Sequence, residues 1–308
     1  MRNVSEKIIV GSRESLLAKQ HIKIFEETFT KYYGKSSKNK IERKFFKTTG
    51  DKFLNKKISE LGNKGLFTKE IDEALLSGQI NLGIHSLKDL PTTLPNGLEI
   101  GAVLKREDFR DVLISNDGSK INNLKMKSII GTSSIRRKIQ LQRLATQVNV
   151  RDIRGNIDTR IKKLERKEYD AILLAYAGLK RLGIKTKFNI IDPRVITPAL
   201  GQGAIALVVN RKNVKLNLII KKLNHTKTSI ETECERNFLR ALDGSCQTPV
   251  GGYANIKGTN DKKKIIFFFK AFSKDGVTLV KDRVCLNLNN FMSESYSLGV
   301  KVKEKIKI

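Results

Sequence analysis

The stretch Phe67–Ile84, FTKEIDEALLSGQINLGI, contains the element order that decides the fold. Apolar residues recur at helical spacing through Phe67–Ser77, and the apolar run Ile80–Ile84 then has the length of a buried strand. The same alternation extends through the first two hundred residues. It predicts an α/β fold with a parallel or mixed sheet covered by helices.

We predict two α/β units and a smaller third part. The first unit adds strand Lys7–Gly11, helix Ser15–Tyr33 and strand Ile41–Phe46. The second unit comprises Ser128–Gly131, Ser134–Ala145, Asn149–Ile153, Ile157–Lys167, Ala171–Ala175 and Ala177–Leu182. Strand Gly203–Asn210 is expected to return to the first unit. After about residue 222 the order changes to helix, three strands and helix (Glu231–Leu242, Gly251–Ile256, Lys264–Phe272, Val277–Leu286 and Asn290–Val302), which suggests a small α+β domain.

The motif Gly83–Pro91, GIHSLKDLP, follows a predicted strand. Ligands of open α/β sheets bind at the carboxyl ends of strands, so we predict that Ser86, Lys88 and Asp89 lie at a binding site. A carboxylate there can stabilise a developing cation or transfer protons. The alternative is that Asp89 caps a turn before the proline.

The motif Gly131–Arg137, GTSSIRR, leads from a strand through hydroxyl residues into a helix. A helix N-terminus carries free backbone N–H groups and partial positive charge. Arg136 and Arg137 in the first turn oppose this dipole, which costs stability unless an anion binds there. We therefore predict an anion site, which also includes Thr132, Ser133 and Ser134. The alternative is an ordinary Ser/Thr N-cap with surface arginines.

The motif Arg151–Arg160, RDIRGNIDTR, again joins a strand to a helix. Arg154 and Arg160 flank the junction, and Arg181 follows at the end of another short helix. Arginine suits bidentate binding of carboxylates and phosphates, so these side chains are predicted to point into one cleft. The alternative is salt bridging, although exposed pairs are weak and would not explain the crowding; the available carboxylates are Asp152, Asp158 and Glu165.

Two weaker motifs are each expected to be structural when taken alone. Gly11–Ser15 places Arg13 and Ser15 at a strand end, and Ala199–Ala204 is a glycine-rich turn that contains Gln202. Thr48–Gly65 has several glycines and dense charge, and its length predicts a mobile lid.

Cys246 lies in the glycine-flanked run Leu242–Gly251, LDGSCQTPVG. A thiolate is a strong nucleophile, and such a turn can present it without a crowding neighbour. The chain has three cysteines at wide spacing, which argues for a reducing compartment. The start of the sequence lacks the apolar core of a signal peptide, so we expect a cytoplasmic location.

Composition limits the function further. The 60 Lys and Arg residues against 31 Asp and Glu give a net charge of +29, yet the lysines are spread along the whole chain. We expect most of them to form a solvated surface with no partner. No run of eighteen apolar residues exists, so no membrane span is expected. His21, His85 and His225 are scattered and no Cys-x-x-Cys occurs, so no metal site is predicted.

Together, five motifs resemble those of the porphobilinogen deaminase (hydroxymethylbilane synthase) family, and the match covers nearly the whole chain. They are His85–Pro91, Gly131–Arg137, Arg154–Arg160, Leu200–Ala204 and Gly244–Gly251. The resemblance implies two periplasmic-binding-protein-like (type II) α/β domains around a cleft plus a small C-terminal α+β domain. The expected boundaries are 1–104 with 200–218 for domain 1, 105–199 for domain 2 and 222–308 for domain 3.

The resemblance also implies a transferase that joins four porphobilinogen molecules head to tail with loss of ammonia and releases hydroxymethylbilane. It implies a dipyrromethane cofactor attached to Cys246 through a thioether, with Asp89 as the catalytic residue. The other implied cofactor-binding residues are Lys88, Ser133, Arg136, Arg137, Arg154 and Arg160. The implied substrate-binding residues are Arg13, Ser15, Lys64, Ser86, Thr132, Ser134, Arg181 and Gln202.

Two positions depart from the family's pattern, with His21 where many relatives have glutamine and Glu60 where some have a lysine. A monomer acting on a small molecule, without nucleic acid or membrane, is expected. A non-catalytic anion-binding protein on the same fold is the runner-up. Nucleic-acid binding rests on net charge alone, because no recognition helix, zinc motif or aromatic stacking pattern supports it.

Overall fold

The computed structural model describes residues 7–52, 65–244, 248–259 and 263–307. The chain folds into two compact units, with residues 1–107 and 204–230 in unit 1 and residues 108–203 and 231–308 in unit 2. The chain therefore passes from one unit to the other three times, and neither unit is a continuous piece of sequence.

Unit 1 is built on a five-stranded mixed sheet. Its strands are β1 (Ile8–Arg13), β2 (Ile41–Phe46), β3 (Leu82–Ser86), β4 (Leu98–Val103) and β10 (Ile205–Asn210), in the order β2-β1-β3-β10-β4. β1 is parallel to β2 and β3, whereas β10 is antiparallel to β3 and β4. The helices that begin in this unit are α1 (Leu16–Tyr33), α2 (Thr49–Lys52), α3 (Lys69–Leu76), α7 (Val214–Lys221) and α8 (Thr226–Ala241), the last of which continues into unit 2.

The core of unit 1 lies on both faces of this sheet. Leu207 and Val209 of β10 pack with Phe25 and Phe29 of α1 on one face. The alternate β10 residues pack with α3 on the other face. A strand buried on both faces is apolar at every position, which explains the continuous run IALVV in β10.

Unit 2 contains a second five-stranded sheet. Its strands are β5 (Asp111–Ser115), β6 (Ile129–Gly131), β7 (Asn149–Arg151), β8 (Ala171–Ala175) and β9 (Asn189–Ile190), in the order β7-β6-β8-β5-β9. β6 is parallel to β7 and β8, and β5 is antiparallel to β8. The helices that follow the parallel strands are α4 (Ile135–Leu144), α5 (Ile157–Glu165) and α6 (Tyr176–Leu182).

A three-stranded antiparallel sheet completes unit 2. It has the order β11-β12-β13, with β11 at Val250–Lys257, β12 at Lys264–Phe272 and β13 at Leu279–Asn287, and is followed by α9 (Phe291–Ile306). Phe238 of α8 packs against Phe267 and Phe269 of β12, with ring centroids 5.1 and 4.7 Å apart.

The predicted α/β class with a smaller α+β part is confirmed. The return of Gly203–Asn210 to the first unit is also confirmed, because β10 lies between β3 and β4. Strands β4 and β5 and helix α7 were not predicted, and α8 begins at Thr226 instead of Glu231. The three domain boundaries stay a prediction.

Of the predicted lid Thr48–Gly65, residues 53–64 lie outside the described residues, and its start forms α2. No helix in the described parts of the chain is long and apolar enough to cross a membrane.

Candidate functional site

In unit 1, the loops that follow β1, β2 and β3 meet at one edge of the sheet, because these neighbouring strands are parallel. Arg13 ends β1, and the guanidinium pairs with Asp51, which follows β2. The same guanidinium lies 4.5 Å from the ring centroid of Phe67. Burial tends to raise the pKa of the Asp51 carboxyl, but hydrogen bonds from Arg13 and Thr48 outweigh it and hold that pKa below its usual value.

Asp89 lies at the same edge, in a single 3-10 turn (Leu87–Asp89) directly after β3. Leu87 fixes this turn by donating its backbone N–H to the carbonyl of Ala204 (3.0 Å). The Asp89 side chain is half-buried, and within the described residues its carboxylate makes no hydrogen bond or ion pair. The capping bond of the alternative interpretation is thus not seen among the described residues.

Ser86 and Ser15 flank this edge in different ways. Ser86 is the last residue of β3, and its side chain makes no capping bond to the turn that follows. Ser15 is the N-cap of α1 and accepts the backbone N–H of Ala18 (3.3 Å), so it has a structural role in the unliganded protein.

His85 on β3 is a buried group with an unusual environment. Its Nε2 atom has no hydrogen-bond partner within the described residues. Burial, together with the positive charge of Arg13, lowers the pKa of His85 to about 4, so the ring is neutral at pH 7. Spacing does not show that this particular strand position is buried, so the neutral state of His85 could not be predicted from the sequence.

In unit 2, the predicted anion-binding residues follow three adjacent parallel strands. The segment after β6 carries the hydroxyl residues and the arginine pair, the segment after β7 carries Arg154 and Arg160, and α6 after β8 carries Arg181. The structure therefore brings the predicted residues of this unit to one edge of its sheet, as the motif spacing predicted.

Arg136 and Arg137 are buried and share one carboxylate, that of Asp111 at the start of β5. Arg137 donates from Nε and Nη2 to the two Asp111 oxygens (3.1 and 2.7 Å) and from Nη1 to the carbonyl of Leu173 (2.9 Å). Arg136 donates from Nη1 to Asp111 (2.9 Å) and to the carbonyl of Thr197. The protein itself therefore supplies one negative charge, that of Asp111, to the two arginines in the first turn of α4.

Asp111 was missed because its carboxylate stands in a charge-dense run, R-E-D-F-R-D, where sequence gives no reason to choose one acid over another. The structure buries it completely. Burial tends to raise the pKa of Asp111, but Arg136, Arg137 and the amide of Gln202 hold that pKa well below its usual value.

The N-terminus of α4 has no side-chain cap. Ser134 is the N-cap residue, yet its hydroxyl makes no capping hydrogen bond. Thr132 accepts the backbone N–H of Ser134 (3.2 Å), and Ser133 donates its hydroxyl to the carbonyl of Ile153 (2.8 Å). The alternative of an ordinary Ser/Thr cap with surface arginines is therefore not observed.

The remaining arginines are half-buried at the same edge. Arg160 donates from Nε to the carbonyl of Gly155 (2.8 Å), and Gly155 has φ of 108°, a backbone angle that favours glycine. Arg181 donates to the carbonyl of Gly203 (2.6 Å). Within the described residues, none of the three carboxylates considered as salt-bridge partners forms an ion pair; they are Asp152, Asp158 and Glu165.

Gln202 is fully buried. Its amide nitrogen donates to Asp111 and to the carbonyl of Phe109, both at 2.7 Å, so both amide hydrogens are used inside the protein. Next to it, the backbone N–H of Gly201 donates to the buried carboxylate of Glu235 (2.6 Å). Gln202 therefore helps to hold Asp111 in place, and its predicted substrate contact stays a prediction.

Some predicted positions cannot be placed. Cys246 and Lys64 lie outside the described residues, as does Glu60. His21, the other departure from the family pattern, is buried in α1.

The structure thus defines an α/β protein in which arginines lie at the strand ends of unit 2 and a half-buried carboxylate lies at a strand end of unit 1. Comparison with known proteins specifies the class. The family model described as "Porphobilinogen deaminase, dipyromethane cofactor binding domain" matches residues 8–217, and the model of the porphobilinogen deaminase C-terminal domain matches residues 229–307. The chain therefore belongs to the porphobilinogen deaminase family, and the predicted family and its dipyrromethane cofactor are confirmed.

Relatives agree over nearly the full length. A porphobilinogen deaminase of Nitratiruptor sp. is 40% identical over 299 residues, which is 96% of this chain and 91% of the relative. That of Oceanobacillus iheyensis is 39% identical over 280 residues, with 90% and 88% covered.

A solved structure with a similar fold is a periplasmic binding protein of an ABC transporter from Brucella ovis, with 14% identity and a TM-score of 0.44. The match covers 77% of this chain and 69% of that one. In each five-stranded sheet the fourth strand, β10 in unit 1 and β5 in unit 2, is antiparallel to both of its neighbours.

Proposed function

We propose that this protein joins four porphobilinogen molecules head to tail, losing one ammonia for each, and releases the linear tetrapyrrole hydroxymethylbilane by hydrolysis. The observation that carries the proposal is the half-buried Asp89 carboxylate, which has no partner within the described residues and lies at a strand end in a chain of this family.

Asp89 is the proposed catalytic residue. Loss of ammonia from porphobilinogen leaves a cationic azafulvene, and a carboxylate near the developing charge lowers that barrier. The same carboxylate can accept the proton released from the attacked pyrrole carbon. A carboxylate already neutralised by an arginine, as Asp51 is by Arg13, would be less suited to either task.

The arginines of unit 2 are the proposed ligands for carboxylates. Porphobilinogen carries an acetate and a propionate group, so the growing chain accumulates negative charge with each addition. Fixed guanidinium groups meet this need, because each can bind a carboxylate through two parallel hydrogen bonds. The uncapped N-terminus of α4 adds backbone donors beside them.

The dipyrromethane group, attached in our proposal to Cys246, supplies the pyrrole carbon to which the first substrate is added. The residues proposed to hold it are Lys88, Ser133, Arg136, Arg137, Arg154 and Arg160. Those proposed to hold the substrate are Arg13, Ser15, Lys64, Ser86, Thr132, Ser134 and Arg181. The Asp89 carboxylate, which has no partner in the part of the chain that the structure describes, fits such a group, since pyrrole N–H groups are hydrogen-bond donors.

Intact-protein mass spectrometry and turnover measurements test the proposal together. The wild-type protein should carry a mass increment of two linked pyrroles that is absent in Cys246→Ser. Asp89→Asn should keep the increment and lose about 10²–10⁴-fold in turnover, the usual contribution of a general acid–base group. Asp152→Asn, which removes an exposed carboxylate at another strand end, serves as the control and should keep normal turnover. Near-normal turnover in Asp89→Asn would remove Asp89 from the mechanism.

We also propose that the protein acts as a cytoplasmic monomer that binds no nucleic acid. The separate, unbridged Cys234 and Cys285 support a reducing compartment. Light scattering should give the mass of one chain, and DNA should not compete with porphobilinogen at physiological salt. Tight DNA binding that falls steeply with salt would contradict this part of the proposal.

A further inference from the structure

The two neighbouring arginines of α4 use their guanidinium groups differently inside the protein, because Arg137 donates from all three nitrogens and Arg136 from Nη1. A guanidinium offers two parallel donors along the edge formed by Nε and Nη2, which matches the two oxygens of a carboxylate. Arg137 gives this edge to Asp111. Arg136 uses only Nη1, and within the described residues its Nε and Nη2 atoms make no hydrogen bond.

Hydrogen bonds from three side chains hold Asp111 in place, so the two arginines keep their different hydrogen-bond patterns. One of its oxygens accepts from Arg137 and Gln202, and the other accepts from Arg136 and Arg137. Gln140 holds the neighbouring loop, because it accepts the backbone N–H of Thr197 (2.8 Å) and donates to the carbonyl of the same residue (3.1 Å). The two acceptors of Arg136 Nη1, the Asp111 carboxylate and the Thr197 carbonyl, are therefore both held in place by other side chains.

The charge of this cluster is incomplete. Among the described residues, two buried guanidinium groups share one buried carboxylate, so one positive charge is left over where Arg136 is only 4% exposed. A buried charge without a counter-charge is costly, and a second carboxylate would relieve that cost. The uncapped N-terminus of α4 favours an anion at the same place.

We propose that Asp111 is a positioning residue for carboxylate recognition: it occupies the Nε–Nη2 edge of Arg137 and turns that of Arg136 towards a ligand carboxylate. The two arginines then have different tasks: Arg136 offers its two-donor edge to the ligand carboxylate, whereas Arg137 anchors Asp111 and reaches the ligand only through the remaining hydrogens of Nη1 and Nη2. The identity of the ligand, an acetate or propionate group on a pyrrole, rests on the proposed function, whereas the positioning itself does not.

A purely structural role for Asp111 makes a different prediction. If Asp111 only neutralised charge, its replacement would lower the stability of the fold and leave ligand affinity in the folded protein unchanged. Positioning predicts that affinity falls in protein that is still folded. Affinity and stability must therefore be measured separately.

The experiment uses the full chain with Cys246→Ser, which in our proposal keeps the site clear of a covalent group, and citrate as the carboxylate probe. Calorimetric titration compares Asp111→Asn with Asp192→Asn, both added to that background. Asp192 is the matched control because it also forms a bidentate pair with an arginine in unit 2, but at the surface. Circular dichroism confirms folding at the titration temperature.

We expect Asp111→Asn to weaken citrate binding by about tenfold or more, as expected when a bidentate charge-assisted contact is lost. Asp192→Asn should stay within about twofold of its parent, since exposed pairs contribute little. Equal citrate affinity in folded Asp111→Asn and its parent overturns the proposal, as does a parent chain that binds no citrate.

If Asp111→Asn does not fold, lysine variants of the two arginines test the proposal instead. Arg136→Lys removes the proposed binding edge, so it should weaken citrate binding more than Arg137→Lys does in folded protein, whereas Arg137→Lys should cost more stability. Equal losses of affinity contradict the division of tasks. A wild-type protein that carries no pyrrole mass would refute the proposed function and leave these citrate results standing.

Discussion

The pH dependence of stability in unit 1 provides a quantitative test of the structure. Two buried groups, His85 on β3 and Asp72 on α3, have pKa values that are shifted in opposite senses. Burial and Arg13 lower the pKa of His85 from 6.5 to about 4. Burial, reinforced by the neighbouring acids Glu73 and Glu70, raises the pKa of Asp72 from 3.8 to about 6.

The two shifts act on folding with opposite signs. Between pH 6.5 and 4 the unfolded chain protonates its histidine while folded His85 stays neutral, so stability falls as the pH falls through that window. Between pH 3.8 and 6 folded Asp72 keeps a proton that the unfolded chain releases, so stability falls as the pH rises. Each shift of about 2 to 2.5 pKa units corresponds to about 3 kcal/mol, so the two effects nearly cancel in the wild-type protein.

Single substitutions should reveal the pH dependence of stability that each of the two groups contributes. Relative to wild type, His85→Gln should lose about 3 kcal/mol in the free energy of unfolding as the pH rises from 4 to 6.5, because only the Asp72 effect remains. Asp72→Asn should lose a similar amount as the pH falls over the same range. The loss of packing that either substitution causes costs the same free energy at every pH. The pH dependence of the free energy of unfolding therefore reports only the titration of the group that was removed.

Urea unfolding at half-unit steps from pH 4 to 7 measures these slopes. Glu27→Gln, which removes an exposed carboxylate from α1, is the control and should follow wild type. The double variant of His85 and Asp72 should have the same pH dependence as wild type, because the two effects that it removes nearly cancel. If Asp72→Asn and Glu27→Gln showed the same pH dependence, the assignment of a raised pKa to Asp72 would be refuted.

Three further expectations concern unit 2. Iodoacetamide at pH 8 should modify exposed Cys285 and spare Cys234, because burial raises the pKa of the Cys234 thiol far above its usual value; mass spectrometry of the native protein checks this. Glu235→Ala removes the acceptor of two buried backbone N–H groups and should cost about 2–4 kcal/mol in urea unfolding, and a cost below about 1 would contradict that account. Gly299→Ala should destabilise by about 1–3 kcal/mol despite the helix propensity of alanine, because its β-carbon would lie 2.6 Å from a backbone oxygen of α8; exposed Ser297→Ala on α9 should be neutral.

The parts of the fold that sequence predicted are those with clear periodicity. Ile41–Phe46, Ala171–Ala175 and Lys264–Phe272 have the predicted bounds, since each is a run of strand-forming residues with distinct ends. β4 and β5 were missed because Leu98–Val103 contains glycine and glutamate, and Asp111–Ser115 begins with a charged residue. Pairing with β10 and β8 respectively determines these strands, and pairing is not visible in local sequence.

The candidate site also has features that the sequence predicted and features that it did not. Loop positions after strands could be predicted, because parallel strands carry their following loops to one edge, and both units place Asp89 and Arg154 accordingly. What could not be predicted is which charges neutralise each other. The position of Arg136 and Arg137 predicted an anion at this helix end, but only the fold shows that the buried carboxylate of Asp111 lies there.

The late position of β10 in the chain has a consequence for synthesis on the ribosome. About 100 residues separate Val103 at the end of β4 from Ile205 at the start of β10, yet β10 lies between β3 and β4. At roughly 5–20 residues per second, a nascent chain spends about 5–20 seconds with both of those strands lacking their shared neighbour. Unpaired strand edges invite association with other chains, so chaperone supply or a lowered growth temperature during expression should govern how much native protein is recovered.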